Sequence, residues 1–382
     1  MSRMIPEKER KNFLPDYALT PGSSPEEVRK TAVRAMRNEL FYPWTPYETL
    51  RYHKEGYCSS KEYLFEKNAL YAGLPYSDAG GSLIQFLQYF DPKTGTIRLT
   101  DPENADHLIG NMCGESVIWA VAATCPAVCG GMQSGFMTTH QGFFPAGKWK
   151  LDPKIETYLD YSTVSLSRDN GKDVMMQCYA KAKPGYLLCC SAEAGNSHNH
   201  AAMILAEPHV EYLPDGSINE LQSYLIAQDQ RSGKKAGGFE VLRGGRLYQM
   251  MGVGEAVYTF RHLWDFGFVT LATAEMLGKK KPSRAEVFIE TREDGTLKGF
   301  LSGAVKSNFI LCTLRLTVKD ENQNEVYRSF HNLATPDIVA GRAWKQELGV
   351  FEPKLKKGVY HVVLEALPVN GEKKVFRRKL SF

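Results

Sequence analysis

The stretch IGNMCGESVIWAVAATC, Ile109 to Cys125, sets Cys113 immediately before a short and almost wholly apolar run of helical character. A thiol at a helix N-terminus faces unpaired backbone N–H groups and the positive end of the macrodipole, and both favour thiolate over thiol. The spacing therefore predicts a nucleophile at Cys113. Downstream, GYLLCCSAEAGNSHNHAAMIL, Gly185 to Leu205, supplies the base that such a thiol needs. A polar Gly-Asn-Ser loop delivers His198 and His200 to an apolar, strand-like segment. His200 directly precedes AAMIL and so stands at the mouth of the strand, where the nucleophile helix must also end, whereas His198 lies further into the loop. The two share a strand face, so His200 is the expected base and His198 the alternative.

Around this pair the chain reads as α+β. SSPEEVRKTAVRAMRNEL opens a helix with Ser24 as N-cap, Pro25 at the first helical position and acidic residues in the first turn. Val28, Ala32, Val33 and Met36 give it one apolar face that covers the catalytic core. YLLCC, HNHAAMIL and SYLIAQDQ are three strand runs, with LPDGS as a hairpin turn, so a helix carrying the nucleophile should pack on an antiparallel sheet carrying the base. Asp91 to Glu103 reads as a polar surface insertion, and Gly130 to Gly147 as a Gly- and Phe-rich loop forming a cleft wall.

GKKKPS, ending at Ser283, is a charged, Pro-containing linker that puts a domain boundary between Leu277 and Ala285. Beyond it AEVFIETRED, TLKGFLSGAV, FILCTLRLTVKDE, EVYRSFHNL, GVYHVVLEALP and KKVFRRKLSF are all strand-like. Six or seven short runs predict a β-sandwich of immunoglobulin-like size over 283–382, after a first domain over 1–280. The basic, alternating tail reads as an edge strand.

Composition narrows the function. The 382 residues carry 47 Lys and Arg against 43 Asp and Glu, a net charge of +4 with no dominant basic block, which argues against nucleic-acid binding. No apolar run reaches transmembrane length. The first residues, MSRMIPEKERKN, lack the apolar core of a signal peptide, so the expected compartment is the cytoplasm, or the cell envelope if a leader has been removed. Eight cysteines in so long a chain are no disulfide scaffold, and CxxxC at Cys125 and Cys129 lacks a second ligand pair, so no metal is expected. Cys189 and Cys190, adjacent on a strand, read as packing. Neither metal nor organic cofactor is needed for thiol chemistry.

YAGLPYSDAGGS, then GNMCGESVIWA, then KPGYLLCCSAEAGNSHNHAAMIL resemble, in order, the blocks of papain-like cysteine peptidases of the NlpC type. The resemblance covers Tyr71 to Asp229. It implies a papain-like domain in which Cys113 is the nucleophile, His200 the base and Tyr76 the tyrosine near the oxyanion site. It also implies a third polar residue on the following strand, where SYLIAQDQ offers Gln228, Asp229 and Gln230, with Asp229 preferred. A cell-wall peptide is the substrate class it implies. Three positions depart from the pattern: Met112 stands where the family has an Asp that holds a free amine, Gly114 follows the nucleophile in place of Ser, and Tyr186 replaces Asp after Lys183-Pro184-Gly185. The function expected is therefore hydrolysis of a peptide or amide bond. The alternatives are a degenerate papain-like binding module and a thioester acyl or amine transferase.

Overall fold

The structure, a computed structural model, describes residues 5–53, 62–77, 79–101, 104–126, 142–152, 154, 162–191, 199–230, 239–243, 245–290, 296–344, 351 and 355–381. The chain is mixed α and β. Helix α1, Pro25–Phe41, starts where Ser24 and Glu27 cap each other: the Glu27 amide donates to Ser24 Oγ at 3.2 Å and the Ser24 amide to Glu27 Oε2 at 2.6 Å. Its Val28, Ala32 and Met36 are buried, Val33 only partly. Helix α2, Cys113–Ala122, is buried along its whole length after Cys113, as its apolar sequence requires. The two helices pack together against one face of a sheet.

That sheet has six strands: β1 Phe143–Pro145, β2 Leu187–Cys190, β3 His200–Ile204, β4 Tyr224–Asp229, β5 Val253–Thr259 and β6 Val269–Thr273. Their order is β5-β4-β3-β2-β6-β1 and every pairing is antiparallel. β2 is buried on both faces, which places Cys189 and Cys190 among apolar neighbours on opposite sides of the sheet. The turn before β2 is pinned under α1. Gly185 has φ +88°, and a Cβ there would come 2.6 Å from Arg29 Cβ, so only glycine lets the helix lie directly on this turn. LPDGS turns as expected, with the Leu213 amide on Ser217 O at 2.8 Å, at the tip of an arm between β3 and β4.

Two local expectations fail. Asp91 to Glu103 is not a polar surface insertion: Ile97 and Leu99 are buried with Trp44, Phe65 and Phe86, because two apolar residues among polar ones suffice to anchor short hairpins into an aromatic cluster. TLKGFLSGAV is not a strand from its start. The Gly299 amide donates to Thr296 Oγ1 at 2.8 Å and caps a short helix, Leu297–Phe300, so capping overrides the apolar run. The stretch 130–141, Cys58, Cys129 and His198 lie outside the described residues.

Among the described residues the C-terminal strands are fewer and longer than expected: β7 Val287–Ile289, β8 Ala304–Lys319, β9 Glu325–Val339, β10 Val359–Pro368 and β11 Lys374–Ser381. β9 covers one edge of β8, while β7 and then β10 follow one another along the other, and β11 closes on β10. The β8–β9 register shifts between Lys306 and Leu311, and such a bulge bends a strand. The bent sheet encloses Val305, Leu314, Leu316, Leu364 and Trp344 in a sandwich-like core. Among the described residues, no strand of this sheet comes from before Val287, yet the two regions are packed together. Phe309, Ile310, Cys312 and Val369 are buried in the core of the first region, and Gln85 Nε2 donates to Leu333 O at 2.8 Å.

Candidate active site

The fold brings Cys113, His200 and Asp229 to one place. Cys113 opens α2, and His200 opens β3, the strand that α2 crosses. The Cys113 thiol shares one cavity with the His200 ring, and the backbone of Ala201 and Gly114 stands beside it. On the far side of the ring, Nε2 lies 2.9 Å from Asp229 Oδ2. Nε2 is thus committed to the carboxylate, which leaves Nδ1 as the nitrogen for the thiol. Asp229 is fully buried, on the strand next to β3.

Of the three polar residues at the end of SYLIAQDQ, only Asp229 meets the histidine. Gln230 instead donates from Nε2 to Leu74 O at 2.6 Å, tying β4 to the segment before Tyr76.

The electrostatics follow from these contacts. Burial would raise the Cys113 pKa, but the hydrogen bond and charge of His200 and the two amides outweigh it and hold the thiol below its ordinary value. Burial would lower the His200 pKa, yet Asp229 first and Cys113 second push it up to about 9. Both shifts favour the charged pair, thiolate and imidazolium, over the neutral one. The other cysteines with shifted values go the opposite way: burial raises Cys178 and Cys190, and pushes Cys312 up to about 12.

Tyr76 lines the same cavity, about 120 Å³, with Met112, Cys113, Cys190, Asn199 and His200. Its position is set by backbone pairing, because the Asn111 amide donates to Pro75 O at 3.0 Å and the Ser77 amide to Asn111 O at 3.2 Å. This approach is so close that a Cβ on Gly110 would stand 2.0 Å from Pro75 O.

Two further groups support the site. Tyr258, on β5, donates its hydroxyl to Asp229 Oδ2 and lies 3.2 Å from His200 Nε2. No motif announces it, since it arrives only through the β4–β5 register. Behind the helix start, Glu39 Oε2 accepts from Asn111 Nδ2 at 3.1 Å and from Ser116 Oγ at 3.2 Å. Glu39 is buried, and burial, only partly offset by these donors, pushes its pKa up to about 8. The signal for Glu39 was present as a carboxylate on the apolar stripe of α1. Met112 donates its amide to Glu115 Oε2 at 2.9 Å, which satisfies the N-cap backbone.

No known family model matches the chain, and no curated protein does. A solved structure described as a tetra-tandem repeat in the extending region of a large adhesion protein is 13% identical, with a TM-score of 0.18, over 52% of this chain and 41% of that chain. A likeness that low carries no argument about fold or function. Among the described residues, no group of three or more His, Cys, Asp and Glu could hold a metal ion, and no helix is long and apolar enough to cross a membrane.

Proposed function

We propose that the protein is a papain-like cysteine hydrolase of the NlpC type that cleaves a peptide or amide bond, with a cell-wall peptide as the substrate class. The observation that carries the reading is the continuous chain from Asp229 through His200 to Cys113, with the thiol held low and the imidazole raised to about 9. The antiparallel sheet flanked by the Cys113 helix is the arrangement that the sequence resemblance implies.

In this reading the Cys113 thiolate attacks the carbonyl carbon and forms a tetrahedral intermediate. The Cys113 amide and the Tyr76 hydroxyl receive the oxyanion, each such donor contributing about 3 kcal/mol in a preorganised site. His200 gives its Nδ1 proton to the departing amine, the C–N bond breaks, and a thioester remains on Cys113. Water, deprotonated by the neutral His200, then releases the acid and restores the thiol pair. Asp229 holds the imidazole tautomer and stabilises its charged form throughout. Met112 at the position of the family's amine-binding Asp argues for a substrate whose recognition does not depend on a free amino group there. The chain is read as a hydrolase domain over 1–280 and an immunoglobulin-like accessory domain over 283–382 that positions or attaches the enzyme.

The test is reaction with iodoacetamide at neutral pH, read by peptide mass spectrometry, together with cleavage of cell-wall peptides. Cys113 should label before every other cysteine and His200→Ala should abolish that preference. Cleavage should vanish in Cys113→Ser. Preferential labelling of Cys125 or Cys178 with Cys113 protected would refute the assignment.

A further inference from the structure

The C-terminal sheet carries a charged outer face. Leu314, Leu316 and Val318 of β8 point into the core, so Arg315, Thr317 and Lys319 face the other way by the two-residue alternation of a strand. On β10, Val362 and Leu364 are buried and His361, Val363 and Glu365 share the outer face. On β11, Leu380 is buried and Arg377 and Lys379 stand out. Register aligns them across the sheet: Lys319 is opposite His361 and His361 opposite Lys379, while Thr317 lies between Arg328 and Val363, with Arg377 beyond.

These residues line a groove of about 530 Å³. Six of its lining residues are Lys or Arg and two are Glu, an excess equal to the +4 net charge of the whole chain.

The carboxylates in the groove are already engaged. Glu365 takes Arg315 at 3.1 Å and Lys373 at 2.9 Å, and Glu325 lies 4.0 Å from Arg328. Lys319, Arg377 and Lys379 have no carboxylate partner among the described residues. Like charges gathered on one sheet face are destabilising unless an anion joins them. Protection of an open edge accounts for cations on β11, but not for Lys319, because β8 is paired on both sides; Arg315 is already held by Glu365 and Gln88.

We propose that this groove binds a linear polyanion whose charge sits on phosphate groups. Neighbouring strands are about 5 Å apart and same-face residues about 7 Å apart along a strand, so the cations form a grid on which successive phosphates of a flexible chain can lie. The guanidinium of Arg377 offers forked donors that suit a phosphate. Among the described residues lining the groove there is no Phe, Tyr or Trp. A single-stranded nucleic acid would need such stacking platforms, which leaves a polymer read through charge alone. The proposal stands independently of the chemistry at Cys113.

The test uses the full chain and fluorescently labelled inorganic polyphosphate, followed by anisotropy over a salt series. The wild type should bind, with log Kd rising by about 2 per decade of salt if three cations are engaged at about 0.7 each. K319E/R377E/K379E should weaken binding at least about tenfold and flatten that slope. K11E/K30E/K67E, with the same charge change on exposed lysines elsewhere, should retain affinity within about twofold, on the expectation that surface charges act locally at moderate salt. Thermal unfolding of each variant establishes that it is folded, and K319Q/R377Q/K379Q replaces the reversal if it is not. An equal loss in the control variant, no binding at low salt, or equal or tighter binding of oligo-dT or poly-L-glutamate would each overturn the proposal.

Discussion

Asp229→Asn removes one charge from the buried end of the site and leaves its shape in place. The carboxylate is fully buried, with Tyr258 and His200 on the same oxygen. One pKa unit is worth about 1.4 kcal/mol, so the rise of His200 from 6.5 to about 9 corresponds to about 3 kcal/mol in favour of imidazolium, drawn from Asp229 and Cys113 against the opposing effect of burial. Loss of roughly half of it, about 1.5 kcal/mol, shifts the balance from the thiolate–imidazolium pair toward the neutral pair by about tenfold. The direction is fixed. Without the negative charge His200 loses its proton at lower pH, and a less cationic His200 lets the Cys113 pKa climb back toward its ordinary value. The assay is the alkylation rate of Cys113 against pH. In the wild type the thiolate should persist below the usual thiol range, with a second change as His200 deprotonates near pH 9. In the variant the first limb should move up, the second down, and the rate at pH 7 should fall by up to about tenfold, with hydrolysis falling further because the tautomer is no longer held. A profile that superimposes on the wild type would refute the coupling of Asp229 to the pair.

Three further predictions test the supporting groups. Tyr258→Phe deletes a donor to a buried carboxylate and should cost about 1–3 kcal/mol in urea unfolding, while Cys113 remains the first cysteine to label. Gly110→Ala places a Cβ 2.0 Å from Pro75 O, so the Tyr76 segment or the start of α2 must move; cleavage should fall about 100-fold, since misplacement of about 1 Å is enough, and thermal unfolding should occur earlier. Glu39 has a folded pKa raised from 4.5 to about 8, so the folded state holds the extra proton between those values and stability declines with rising pH by up to about 1.4 kcal/mol per unit. Glu39→Gln should flatten that decline, and unfolding midpoints at pH 5 and pH 8 measure it.

The local features were legible. Ser24, Pro25 and Glu27 mark the start of α1 because a cap depends on residues three apart. Cys113 was legible because the change from GNM to an apolar run marks a helix start, and His200 because it precedes the first buried residue of a strand. At Thr296 the cap and the apolar run point to different elements, and the cap decides for a helix. The length of strands β8 and β9 is not legible, because bulges interrupt the alternation without ending the pairing.

What the sequence by itself determined is the set of candidate side chains and the short-range signals that start and stop elements, since both depend on neighbours within a few residues. Only the tertiary structure decided which groups meet. Asp229 rather than Gln228 or Gln230 reaches His200 because the β4 strand turns that side chain toward the ring and gives Gln230 to Leu74. Tyr258 joins the same carboxylate through strand pairing, and Glu39 reaches Asn111 and Ser116 through helix packing. These contacts span 29 to 156 positions in sequence, so no local pattern encodes them. Register and packing angle, set by burial of the whole core, bring them together.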